Sequence, residues 1–174
     1  DEHILTKVLF IGRVYAAAVE RRKNKNKIQN DNFYKNEIVP IFKNSTLDER
    51  LTKLKNMSVM DSNTIMYALE THNYLVGILK KITNHNKRSF SSKYLHFHIP
   101  EMYFIYDSRS IKGIRKFVNM IPKKHQSILG FSNIDSEYAK FYIKCFVLKN
   151  QITLNYGNSL TNREIDNLLI NAGK

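Results

Sequence analysis

Residues 61–89 read DSNTIMYALETHNYLVGILKKITNHNKRS, and this stretch decides the fold class. Ile65, Ala68, Leu69, His72, Leu75, Val76, Leu79 and Ile82 recur at the spacing that lines one face of an α-helix. Asp61 or Ser62 stands where an N-cap oxygen is needed. The result is a helix of about six turns, with an apolar face long enough to need cover from several other elements. It is therefore the expected central core helix. His72 lies on the stripe and reads as a hydrogen-bonded core histidine rather than a ligand. The polar, basic run Thr83-Asn84-His85-Asn86-Lys87-Arg88-Ser89 ends the helix and turns the chain into a hairpin before apolar character resumes at Phe90.

Working outward, the same periodicity recurs on both sides. Ile4, Leu5, Val8, Leu9, Ile11, Tyr15 and Val19 predict an amphipathic helix over the first twenty residues, ending in the basic run Arg21-Arg22-Lys23-Asn24-Lys25-Asn26-Lys27. That run reads either as a solvated linker or as a phosphate-contacting segment. A short helix from Phe33 to Phe42 is interrupted near Pro40, and Thr46-Leu47-Asp48-Glu49 matches a capping box opening a helix through Lys55. Ser91 to His98 predicts an aromatic-rich helix that stops before Pro100, because the residue preceding proline avoids the helical region. Asp107-Ser108 opens the next, with Ile111, Ile114, Val118 and Ile121 inward, Arg109, Lys112 and Lys116 on the opposite face, and Pro122 at its end. A helix through Tyr138, Phe141, Tyr142, Cys145 and Leu148 adds core, Gln151 to Tyr156 fits a short strand, and Thr161-Asn162-Arg163-Glu164 is a second capping box before Ile165, Leu168 and Leu169.

The expectation is one compact, all-α, multi-helix domain over residues 1–174, with at most one short strand near 151–156. With 174 residues and 43% hydrophobic content the chain can build one sizeable core. No apolar run approaches the ~18 residues of a membrane span. The opening Asp1-Glu2-His3 carries no secretory pattern, and the lone Cys145 has no internal disulfide partner. Both point to a reducing, cytoplasmic setting. Twenty-eight Lys and Arg against fifteen Asp and Glu give a net charge of +13, an imbalance that an acidic partner relieves. Nucleic acid is the favoured partner, DNA over RNA. An anionic membrane or acidic protein, and a charge that merely reflects codon usage, are the alternatives.

The common nucleotide and zinc signatures are missing: there is no Gly-rich phosphate loop, no Walker lysine and no cysteine-based zinc pattern. His96 and His98 stand two apart, which on a helix points them about 200° from each other. Packing or a backbone hydrogen bond is expected for both, and no metal or cofactor. The richest segment is Ser89-Phe90-Ser91-Ser92-Lys93-Tyr94-Leu95-His96-Phe97-His98-Ile99-Pro100, continuing Glu101-Met102-Tyr103-Phe104-Ile105-Tyr106-Asp107-Ser108-Arg109. From the residues alone, Lys93 is either a phosphate contact or an amine nucleophile whose pKa is lowered by burial or nearby cations. Asp107 is either a helix N-cap or a carboxylate that stabilises a cationic sugar transition state.

The order Ser-Lys-Tyr-Leu, Pro, Ile-Tyr-Asp-Ser resembles the core of the helix-hairpin-helix DNA glycosylase superfamily, in particular small prokaryotic proteins with an oxoguanine-glycosylase-like fold. The similarity spans about residues 60 to 120, with a weaker echo in Arg13 to Arg22. The hairpin here lacks the family's glycines, and Lys93 and Asp107 are closer in sequence than the usual pair. The resemblance implies base excision, with Lys93 and Asp107 as the catalytic pair and an aromatic pocket for a flipped base. It also implies nucleic-acid contacts from the hairpin at Lys87, Arg88 and Ser91 and from Arg109, Lys112 and Lys116. The alternatives are a non-catalytic nucleic-acid or nucleotide-binding module and a basic protein-interaction domain.

Overall fold

The structure, a computed structural model, describes residues 1–20, 30–57 and 61–174. Among these the chain is helical with no strand, the all-α class that the periodicity predicts. Helix α1 (Glu2–Val14) is followed by α2 (Asn30–Phe33), a π-turn at Tyr34–Ile38, α3 (Val39–Lys43) and α4 (Leu47–Lys55). Then come α5 (Ser62–Thr83), α6 (Arg88–His98) and α7 (Ser108–Phe117). The chain closes with α8 (Lys123–Gln126), a 3₁₀ turn at Ser127–Gly130, α9 (Ser136–Tyr156) and α10 (Asn162–Ala172). No helix among the described residues is long and apolar enough to cross a membrane.

Helix α5 is central, as its stripe requires. Asp61 caps it, Oδ1 accepting from the Thr64 amide at 2.7 Å. The helix ends at Asn84, whose φ of 57° is the left-handed conformation that a short polar side chain tolerates at a helix terminus. Ile65, Ala68, Leu69, His72, Leu75, Val76 and Leu79 are buried, joined by Thr71 and Ile78 on flanking faces. Around it the buried apolar side chains form one connected cluster, with Tyr103, Tyr138, Tyr142, Phe90 and Phe104 the largest fully buried members. Such rings each remove roughly 150–250 Å² from water and dominate core energetics. Cys145 is buried among them as a free thiol, its pKa pushed well up by desolvation.

Several local expectations are corrected. The first helix stops at Val14 rather than near residue 20, because the chain turns at Ala16 with a φ of 51° and the Ala17 amide closes back on the Gly12 carbonyl. The basic run Arg21 to Lys27 lies outside the described residues. The interruption near Pro40 is a π-turn at Tyr34–Ile38, which leaves the proline in the first turn of α3, where no N–H is needed. Thr46 makes no side-chain cap. Instead Ser45 Oγ accepts from the Leu47 amide and Tyr74 Oη from the Thr46 amide, so neighbouring oxygens fill the role given to the capping box. The Thr161–Glu164 box forms in full. Residues 151–156 are the last turns of α9 rather than a strand. There Thr153 Oγ1 donates back to the Lys149 carbonyl, and Gly157, at φ 70°, ends the helix in the left-handed conformation.

Helices α7 and α10 make the closest approach in the molecule that the glycines reveal. A Cβ on Gly113 would sit well inside van der Waals distance of the Leu169 carbonyl oxygen and 2.8 Å from its carbon. One on Gly173 would meet the Arg109 carbonyl carbon at the same 2.8 Å. Backbone packs directly on backbone here, and the pairing brings Asp166 of α10 against the first turn of α7.

Candidate functional site

The site is built on a buried irregular segment. Met102, Tyr103, Phe104 and Ile105 are all buried yet belong to no helix, so their backbone polar groups need partners other than water. Side chains from three helices supply them. Asn162 Nδ2 donates to the Glu101 carbonyl at 2.8 Å, Tyr142 Oη to Met102 at 2.9 Å and Tyr138 Oη to Phe104 at 2.9 Å. His96 Nδ1 lies 2.7 Å from the Tyr103 carbonyl. A carbonyl only accepts, so His96 carries its proton on Nδ1. From α6, Ser92 Oγ accepts from the Tyr106 amide at 3.0 Å. These bonds fix the chain leading into Asp107, and they use residues whose sequence pattern showed only aromatic and polar character.

Asp107 is the N-cap of α7. Its Oδ1 accepts from the amides of Arg109 at 3.0 Å and Ser110 at 2.9 Å. Both cap bonds fall on Oδ1, and Oδ2 makes no hydrogen bond among the described residues. Capping and a second role for the carboxylate are therefore compatible.

Lys93 projects from α6 and is buried, with 7% of its surface exposed. Its Nζ donates to the Tyr15 carbonyl, just past the end of α1, at 2.9 Å. Burial pulls the ammonium below the usual lysine range, while the charges of Asp107 and then Asp166 act in the opposite direction. Asp107 is thus the leading counter-charge on Lys93. The pair named from sequence shares one electrostatic environment, although no direct hydrogen bond joins them.

Asp166 was not legible as part of this arrangement. It is 3% exposed, accepts from Ser110 Oγ at 3.0 Å through Oδ1 and pairs with Arg163 at 2.9 Å through Oδ2. Burial pushes its carboxyl above the usual range, with Ser110 and Arg163 opposing that shift. Ser110 therefore bridges two carboxylates, its amide on Asp107 and its hydroxyl on Asp166. The only sequence signal was a buried-face position in the last amphipathic helix.

The residues assigned to nucleic-acid contact divide into two groups. Arg109, Lys112 and Lys116 are exposed along one side of α7, as the periodicity placed them. On the hairpin, Lys87 is half-buried at the N-cap of α6. Arg88 is committed inside the fold: its Nε lies 2.8 Å from both oxygens of Asp135, the N-cap of α9. Ser91 is completely buried, its hydroxyl without a partner, so it offers no surface to a phosphate. Helical phase explains the correction, since Ser91 falls on the inward face of α6 together with Phe90, Tyr94 and Leu95.

The histidines behave as packed groups. His98 Nδ1 donates to the Tyr94 carbonyl at 2.8 Å, and His72 stacks on Tyr138 with ring centroids 3.6 Å apart. No group of three His, Cys, Asp or Glu among the described residues is arranged to hold a metal ion. No family model, curated protein or solved structure matches the chain.

Proposed function

We propose that this domain binds DNA through the exposed face of α7, with Lys87 of the hairpin, and removes a base using Lys93 and Asp107. The observation that carries the reading is a lysine amine held in a buried position. Desolvation favours its neutral, nucleophilic form, and the carboxylate that acts on it most strongly keeps one oxygen clear of its capping duty. A surface carrying Arg109, Lys112 and Lys116 adjoins that carboxylate along the same helix.

In this reading the lone pair of the neutral Lys93 amine forms a bond to C1′ of the sugar. The glycosidic bond breaks and its electron pair leaves with the base. The attacking nitrogen loses a proton, which the base takes up, and Asp107 stabilises the positive charge that builds on the sugar. Opening of the sugar ring gives a Schiff base that water hydrolyses to release Lys93. Asp166, Ser110 and the Tyr15 carbonyl orient the reacting pair rather than touch the sugar.

The test is base release from a duplex carrying a single damaged base, compared across the wild type, Lys93→Ala and Asp107→Asn. Lys93→Ala is expected to abolish release. Asp107→Asn is expected to slow it by orders of magnitude with binding nearly intact, because asparagine still caps the helix but carries no charge. Wild-type inactivity across a panel of lesions, with DNA binding retained, would establish a non-catalytic binding module instead.

A further inference from the structure

Helices α7 and α9, with the connector and turns between them, form an open concavity of about 550 Å³. None of Lys93, Asp107 and Asp166 lines it. Its volume falls in the range of small-molecule sites, roughly 300–1,000 Å³. Ile111, Ile114, Ile121 and Leu129 give it an apolar floor. Tyr106 and Phe141 form an aromatic wall, their rings edge to face at 5.2 Å and 90°.

The mouth is cationic. Arg115 and Lys144 both line it, and the Arg115 guanidinium makes no ion pair among the described residues. Lys144 donates to the Asn119 carbonyl at 2.8 Å, and burial followed by the charge of Arg115 depresses its amine. Two like charges therefore converge on one opening. The carboxylate in the lining, Glu137, is engaged by Lys140 at 3.3 Å and so is in part neutralised. An anion at the mouth relieves the repulsion between Arg115 and Lys144, and guanidinium geometry suits a phosphate. A flat ring suits the wall behind it, because the face of a base packs favourably on an aromatic side chain. Asn119 and Gln126 also line it, Gln126 Nε2 donating to the Ile121 carbonyl at 3.2 Å, and both side chains carry an amide oxygen that suits a ring edge.

We propose that this concavity binds a nucleotide, with the base against Tyr106 and Phe141 and the phosphate between Arg115 and Lys144. The proposal is independent of base excision at Lys93. It is tested by calorimetric titration of the whole chain with GMP, guanosine and inorganic phosphate at fixed salt. GMP is expected to bind at least about tenfold more tightly than either fragment. Arg115→Gln, with Lys144→Gln as a second variant, is expected to remove about that factor. Replacing Arg109, Lys112 and Lys116 with Gln is expected to leave it unchanged. Arg115 is exposed, so its variant is expected to melt like the wild type, which separates lost binding from lost folding. A trinucleotide of the same base, titrated against the protein in which Arg109, Lys112 and Lys116 are replaced by Gln, identifies the source. Equal affinity makes the ligand a free nucleotide, and markedly tighter binding makes it the end of a strand. GMP binding no tighter than phosphate, or affinity that follows the Arg109, Lys112 and Lys116 face instead, overturns the assignment.

Discussion

Replacing Gly113 with alanine tests whether α7 and α10 are held backbone to backbone. The added Cβ would lie 2.8 Å from the Leu169 carbonyl carbon and 2.9 Å from its Cα. Carbon atoms rest at about 3.5–4.0 Å, so the helices must part by roughly 1 Å. Overpacking of that size costs about 1–3 kcal/mol. The same displacement stretches the 3.0 Å bond from Ser110 to the buried Asp166, and a buried polar group left unpaired adds about 1–3 kcal/mol. The total is about 2–6 kcal/mol. At about 2–4 °C per kcal/mol for a chain of this size, the melting temperature should fall by roughly 4–24 °C. Gly77 provides the control, since it lies within α5 and an added Cβ would meet nothing within 4 Å. Gly77→Ala should stabilise by about 0.5–1 kcal/mol through helix propensity. Thermal unfolding followed by circular dichroism measures both variants. A Gly113→Ala protein melting within about 2 °C of wild type would refute the close packing and the placement of Asp166.

Further outcomes follow from the same geometry. Burial holds the pKa of His72 below its ordinary 6.5, so as pH falls below that value the unfolded chain takes up a proton that the folded chain refuses. Stability should therefore fall as pH drops from 6.5 towards 5, by up to about 1.4 kcal/mol per pH unit for this group. His96 and His98, also depressed by burial, add in the same direction. His72→Phe should flatten the denaturation slope by one proton's worth, and an unchanged slope would count against a neutral buried His72. Arg88→Met strands the Asp135 carboxylate, whose side chain is 7% exposed, and should cost about 3–5 kcal/mol in urea unfolding. A loss within 0.5 kcal/mol, accompanied by weaker DNA binding, would return Arg88 to the nucleic-acid surface. Replacing Arg109, Lys112 and Lys116 with alanine should leave the melting temperature nearly unchanged. If all three meet phosphates, it should also reduce the slope of log affinity against log salt by up to about 2.7, at about 0.9 per contact.

The fold was largely legible because its long helices carry their periodicity on their own residues. The stripe of α5, the Asp107 cap of α7 and the Thr161 capping box all depend on neighbours within a few positions. Where a distant residue decides the outcome, the local pattern misleads: Tyr74 reaches across 28 positions to take the Thr46 amide that a capping box would have filled. The β-branched residues near 151–156 resemble a strand, but they continue the helix whose buried face runs from Tyr138 to Leu148. The candidate site divides in the same way. Lys93 and Asp107 stood out by type and order, whereas Tyr15 and Asp166 reach the site over separations of 78 and 56 positions through a backbone carbonyl and a bridging serine. Ser91 shows the converse case, a polar residue in a basic hairpin that helical phase turns inward.

The most direct test of the central claim is borohydride trapping of the wild-type protein on DNA containing a damaged base. A lysine that attacks C1′ passes through a Schiff base, which reduction converts to a stable covalent complex. The account predicts a complex that forms with the wild type, persists at reduced rate with Asp107→Asn, and is absent with Lys93→Ala. A complex that still forms with Lys93→Ala, or none with the wild type on any lesion that it binds, would contradict it.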